Sequence, residues 1–189
     1  MDRRVAIRSG ERTDAFAAIS VAERSLSAER RQWLGLALVA LAAVGADQLT
    51  KHVVASQIRL DSAVKVIGPF SIRHVQNSGI AFGLFSSATA IVIVLTTVAV
   101  AWMLVFFARS GARHPALPVA LGLLIGGSVS NLVDRVRLGY VTDFLDLRWW
   151  PAFNLADASI VVGVAVLLGS LLLADRNPRR RADSPATGP

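Results

Sequence analysis

Between Gly126 and Asp157 the chain carries four aspartates, Asp134, Asp143, Asp146 and Asp157, and two of them follow an asparagine by three residues. Two carboxylates held close together, one charged and one protonated, form an acid–base pair that can activate water and polarise an amide. On a helix, the i, i+3 spacing of Asn131–Asp134 and of Asn154–Asp157 puts amide and carboxylate on one face. There the amide can donate to the carboxylate and fix its rotamer. Asn154, just after Pro151, also reads as a helix N-cap, and one residue can do both. The carboxylates differ in surroundings. Asp134 precedes Arg135, with Arg137 nearby, and reads as ion-paired and permanently charged. Asp157, in the first turn of a helix, ionises readily. Asp143, between Thr142 and Phe144-Leu145, has no cation in its immediate sequence and can retain a proton at an apolar interface. Asp47 and Lys51 stand at i and i+4, acid first, the favourable order for a helical ion pair; a structural pair alone explains that spacing.

Other chemistry finds little support. There is no cysteine, which excludes disulfides, thiolate nucleophiles and Cys-ligated metals. The histidines His52, His74 and His114 are scattered, and neither a zinc HExxH nor a GxSxG elbow is present. After Glu29 there is no glutamate, so carboxylate chemistry falls to aspartate. No metal and no cofactor is expected.

The elements that must position these aspartates are membrane spans. The 189 residues have room for one domain, 53% of them are apolar, and the mean hydropathy is +0.53, too high for a typical soluble domain. Four stretches approach the ~20 residues needed to cross a bilayer: from Trp33 past Asp47, Ala88 to Ala108, Pro118 to Val133, and Asn154 to Ala174. The fold expected is an all-α polytopic membrane protein with four transmembrane helices. The formal charge of +7 sits mainly in the N-terminal stretch, in the loop with Arg109 and Arg113, and in the tail with Arg176, Arg179, Arg180 and Arg181. That pattern reports topology rather than nucleic-acid binding, and it places both termini in the cytoplasm. Residues 1–32 read as a polar, disordered cytoplasmic extension, 33–175 as the membrane domain, and 176–189 as a disordered basic tail. The outer loop after span one contains VKVIGPFSIRHV, a small β-hairpin between helices 1 and 2. The second outer loop, about Arg137 to Phe153, holds Trp149-Trp150, read as interfacial anchors. With this topology Asp47, Asp134, Asp143 and Asp157 all arrive at the extracytoplasmic interface.

Five blocks carry a family resemblance: Asp47-Gln48-Leu49-Thr50-Lys51; Asn77-Ser78-Gly79-Ile80-Ala81-Phe82-Gly83; Gly126-Gly127-Ser128-Val129-Ser130-Asn131-Leu132-Val133-Asp134-Arg135; Gly139-Tyr140-Val141-Thr142-Asp143-Phe144; and Phe153-Asn154-Leu155-Ala156-Asp157. In this order they resemble the bacterial lipoprotein signal peptidases (signal peptidase II). The departures are small: Ser130 stands where the family usually has glycine, Ile80 where it has alanine, and Thr142 where it has valine. The stretch before Gln32 is longer than usual.

The resemblance implies an aspartyl endopeptidase of the bacterial cell membrane, with an outer β-cradle, that removes the signal peptide from diacylglyceryl-modified prolipoproteins before the lipidated cysteine. Its partners would be those substrates and membrane lipid, and it would act as a monomer. The catalytic pair maps to Asp143 and Asp157, with Asp134 a rival for the first role; the context of Asp143 suits a carboxyl that must hold a proton. Asp47 and Lys51, Asn77 and Gly79, Asn131 with Asp134 and Arg135, and Asn154 with Ala156 map to positions that line or support the site. A proton-coupled transporter would also use membrane aspartates, but near the midplane and with symmetry-related repeats. A membrane scaffold leaves the aligned aspartates unexplained.

Overall fold

The computed structural model describes the backbone of residues 3–79, 89–110 and 116–182, and the side chains of 29–79, 89–109 and 116–173. The Ile80–Gly83 part of the second sequence block lies outside the described residues. So do most side chains of the two ends read as disordered, 1–32 and 176–189.

Four helices dominate: α1 (Arg3–Gln57), α2 (Thr89–Ser110), α3 (Leu117–Leu138) and α4 (Leu155–Ala182). Each contains a span long and apolar enough to cross a membrane: Glu29–Gln57, Thr89–Arg109, Leu117–Leu138 and Leu155–Leu173. A helix satisfies its own backbone hydrogen bonds, the condition for lying in hydrocarbon. Leu38, Leu41, Val94, Val98 and Leu171 are exposed on the bundle surface, as faces turned to lipid should be. The third span runs one turn beyond Val133, so Asp134 and Arg135 are helical. It closes on Gly139, whose left-handed φ of 83° lets its N–H return to the Arg135 carbonyl at 3.0 Å.

α3 is the central helix, packed against α1, α2 and α4. Its adjacent glycines make this possible on two sides. A Cβ on Gly126 would lie 2.7 Å from the Ala40 carbonyl oxygen of α1, and one on Gly127 would collide with the Ala156 carbonyl oxygen of α4. Small residues at such positions let backbones approach closely. Leu36, Phe107, Leu117, Leu121 and Ile125 form an apolar cluster uniting α1, α2 and α3, and Trp33 meets Phe107 edge-on at 4.7 Å.

The expected hairpin, β1 (Ala63–Ile67) and β2 (Phe70–Asn77), gains a third member, β3 (Val141–Asp146), in an antiparallel sheet of order β1-β2-β3. Asp143 therefore sits on a strand, opposite Val75, and not in an open loop. After β3 the chain folds back: the Phe144 and Leu145 N–H groups donate to the Phe153 carbonyl at 3.0 and 2.7 Å, and Phe153 N–H returns to Leu145. This return delivers Asn154 beside Asp143 and starts α4 there. The carboxyl ends of α1 and α3, the amino end of α4 and the sheet all meet at one end of the bundle.

Candidate active site

The amino end of α4 is built as a reciprocal cap. Asn154 Oδ1 accepts the Asp157 N–H at 2.9 Å, and Asp157 Oδ2 accepts the Asn154 N–H at 3.2 Å. This is the geometry of a capping box, with Asn154 at the N-cap and Asp157 three residues on. The N–H between them in the first turn, that of Ala156, donates to Asp47 Oδ1 from α1 at 2.9 Å. Two orphan donors of the helix end, those of Ala156 and Asp157, are thus satisfied by side chains that also line or support the site.

The same asparagine reaches both expected catalytic aspartates. Asn154 Nδ2 donates to Asp143 Oδ1 at 2.7 Å, and Asn77 Nδ2, from the end of β2, donates to Asp143 Oδ2 at 2.9 Å. Asn131 Nδ2, from α3, donates to Asp157 Oδ1 at 2.8 Å. Each carboxylate is therefore held at both oxygens, and Asn154 links the two. Burial pushes the Asp143 carboxyl up to about 6, and the neighbouring Asp157 charge adds to this; the hydrogen bonds from Asn77 and Asn154 and the Lys51 charge oppose it. A carboxyl poised there can be either proton donor or acceptor near neutral pH.

Beneath the pair lies a buried ionic network. Lys51 Nζ is 2.7 Å from Asp47 Oδ2 and 2.9 Å from Asp134 Oδ2, and donates to Asn131 Oδ1 at 2.8 Å. Ser130 Oγ donates to Asp47 Oδ2 at 2.7 Å, so the serine at the family's glycine position has acquired a bond of its own. Gln48 Nε2 donates to Asp134 Oδ1 at 2.7 Å and to Ser130 Oγ at 3.0 Å.

The expected pairing of Asp134 with Arg135 is corrected: the cation on Asp134 is Lys51. Successive helical residues point about 100° apart, so Arg135 faces another way. Its guanidinium donates to the Gly79 carbonyl at 2.8 Å and to the Asn131 carbonyl at 3.3 Å, clamping the strand exit to α3. Asp134 also accepts the Thr142 N–H at 3.3 Å. It is thus committed to the network below, away from the cavity.

That cavity, of about 710 Å³, is lined by Asp143, Asp157, Asn77, Asn131 and Arg135 at its polar end. Trp149, Trp150, Pro151, Ile160, Val161 and Val162 belong to its apolar wall. Val161 and Val162 are otherwise exposed on α4, so the cavity opens toward the lipid-facing side. The two tryptophans, read from sequence only as anchors, form part of its wall. Sequence reasoning also missed Gln48; its place between the two polar positions Asp47 and Lys51 was the available signal. No group of three His, Cys, Asp or Glu side chains among the described residues is arranged to hold a metal ion.

Two asparagine-held aspartates, Asp143 buried and Asp157 half-buried, facing a cavity at one end of a four-helix membrane bundle have the make-up of a membrane aspartic hydrolase. The chain belongs to the signal peptidase (SPase) II family, whose pattern matches residues 39–173. A lipoprotein signal peptidase of Moorella thermoacetica is 41% identical over 137 residues, covering 72% of this chain and 91% of its own. That of Symbiobacterium thermophilum is 40% identical over 144 residues, 74% of this chain and 95% of its own. A bacterial membrane enzyme solved by the in meso method at 2.3 Å superposes with a TM-score of 0.69 at 28% identity, over 80% of this chain and 93% of that one.

Proposed function

We propose that the chain removes the signal peptide from diacylglyceryl-modified prolipoproteins, cutting before the lipidated cysteine, with Asp143 and Asp157 as its catalytic pair. The observation that carries the assignment is convergence. A strand and a helix end bring one carboxylate each to the same cavity wall, and Asn154 bridges them. Asp134, the rival, is saturated by Lys51, Gln48 and Thr142.

In the working state the pair shares one proton and holds a water. The charged carboxylate takes a proton from that water as its oxygen attacks the scissile carbonyl. The protonated carboxyl donates to the carbonyl oxygen, giving a tetrahedral diol. Collapse of the diol breaks the C–N bond, with a proton delivered to the leaving amine, and returns the pair to its single shared proton. The titration belongs to the pair as a unit. Asn77, Asn131 and Asn154 hold the carboxylates in place. The substrate peptide lies at the polar end of the cavity, and its acyl chains lie along the apolar wall that opens to lipid. Both chain ends lie in the cytoplasm, residues 1–32 and 176–189 flanking a peptidase unit of 33–175, and the site faces outward. The enzyme works as a monomer in the cell membrane.

Incubating the purified protein with a diacylglyceryl-modified prolipoprotein and with its unlipidated form tests this. A mobility shift from signal-peptide loss is expected for the lipidated form alone. Proton flux in proteoliposomes with no processing of either would support the transporter reading.

A further inference from the structure

We propose that Lys51 is a positioning residue that fixes the amide orientation of Asn131 and, through it, the donors presented to both catalytic carboxylates. The inference rests on the Asp143–Asp157 assignment and goes beyond it.

An ammonium has three hydrogens and no lone pair, so only acceptors can face it. Lys51 Nζ uses Asp47 Oδ2 at 2.7 Å, Asn131 Oδ1 at 2.8 Å and Asp134 Oδ2 at 2.9 Å, one acceptor for each hydrogen. The Asn131 amide must therefore turn its oxygen to Lys51 and its nitrogen away, which points Nδ2 at Asp157 Oδ1. The same Asn131 Oδ1 accepts one hydrogen of Asn154 Nδ2 at 3.1 Å, and Asn154 Nδ2 also donates to Asp143 Oδ1. Inverting Asn131 would set its NH2 against the ammonium and against the Asn154 NH2, and its carbonyl against a carboxylate. One charge thus selects, through two amides, a hydrogen-bond donor for each aspartate.

A bland reading exists: Lys51 merely balances two buried carboxylates, as a buried cation must. It accounts for two of the three contacts and leaves the third, to Asn131, without a role. The charged groups around the pair are Asp47 and Lys51 from α1, Asp134 and Arg135 from α3, Asp143 from β3 and Asp157 from α4. On β2, Arg73 is near the exposed Asp61, and the His74 ring meets the Ile58 carbonyl. Among the described residues, Lys51 is thus the cation hydrogen-bonded to the side-chain amide that serves the pair.

Lys51→Met alone would strand Asp47 and Asp134, so the test uses Lys51→Met/Asp134→Asn, which keeps the net charge of the triad, with Asp134→Asn as reference. The kcat–pH profile is measured in detergent with a diacylglyceryl peptide, folding being checked by thermal midpoint. The double variant is expected to lose about 10²-fold in kcat relative to the reference, as a displaced catalytic group does, with KM changed by less than about threefold because the substrate wall is intact. The acid limb of kcat should also move up, but loss of the Lys51 charge by itself favours protonation of Asp143, so the fall in kcat at near-constant KM is the readout that separates positioning from charge balance. Equal kcat in double variant and reference would overturn the proposal, leaving Lys51 as charge balance.

If the double variant fails to fold, Asn131→Asp decides. It keeps an oxygen for Lys51 and for Asn154 and sets a second, charged oxygen where the donor to Asp157 was, so kcat should fall; wild-type kcat there would equally overturn the proposal. Failure of the underlying assignment reads differently: Asp143→Asn or Asp157→Asn would cleave normally.

Discussion

Asn154 Nδ2 donates to Asp143 Oδ1 at 2.7 Å while Asn154 Oδ1 caps the Asp157 N–H at 2.9 Å. One fully buried side chain thus ends a loop, starts a helix and spaces two carboxylates. Asn154→Ala should cost about 1 kcal/mol of stability through the lost cap and about 10²-fold in kcat through the lost spacing. Thermal midpoint and lipopeptide cleavage, measured on one preparation, separate the two. A stability loss with kcat unchanged would reduce Asn154 to a cap.

Asp143 makes stability depend on pH in a defined window. Burial lifts its folded carboxyl from an ordinary 3.8 to about 6, so between these values the folded pair binds more protons than the unfolded chain. Stability is then greatest at and below about pH 4 as far as this group is concerned, and its contribution is lost as pH rises through about 6. Asp143→Asn should flatten that part of the stability–pH curve. An unchanged slope across the window would show that Asp143 titrates in the ordinary range.

Gly127 is where α3 touches the first turn of α4. A methyl there meets the Ala156 carbonyl, a backbone atom that cannot turn aside, and Asp157 is the next residue. Gly127→Ala should therefore destabilise by about 1–3 kcal/mol, as overpacking does, and lower kcat about tenfold or more by shifting Asp157. Gly169→Ala is the control: a Cβ there meets nothing within 4 Å, so stability and kcat should hold.

Trp149 and Trp150 wall the cavity. Trp149→Ala and Trp150→Ala should raise KM for a lipidated peptide while kcat changes less, the sign of lost uniform binding. A fall in kcat at constant KM would instead tie the pair to the transition state.

Much of this architecture was legible in the chain. Four spans follow from hydrophobic length, and the convergence of Asp47, Asp134, Asp143 and Asp157 on one end follows from antiparallel crossing. The Asn154–Asp157 spacing announced a cap, and the cap forms; the amide-to-carboxylate bonds expected within each i, i+3 pair are exchanged, the Asn154 amide donating to Asp143 and the Asn131 amide to Asp157. What escaped was partner choice across elements. Arg135 adjoins Asp134 in sequence but points away on the helix, and the cation that reaches it, Lys51, is 83 positions away, counting from 51 to 134. Asp143 looked like a loop residue because Val141–Asp146 pairs with β2 only after α2 and α3 have brought the chain back. Ser130 looked like a mere substitution for glycine until its hydroxyl proved to lie on Asp47.

The central claim is that Asp143 and Asp157, and not Asp134, do the chemistry. The direct measurement is kcat for cleavage of a diacylglyceryl peptide by purified Asp143→Asn, Asp157→Asn and Asp134→Asn, each verified as folded. The first two should fall by about 10³-fold or more, the scale of a lost acid–base group, while Asp134→Asn keeps measurable turnover. Normal cleavage by Asp143→Asn with none by Asp134→Asn would contradict the account.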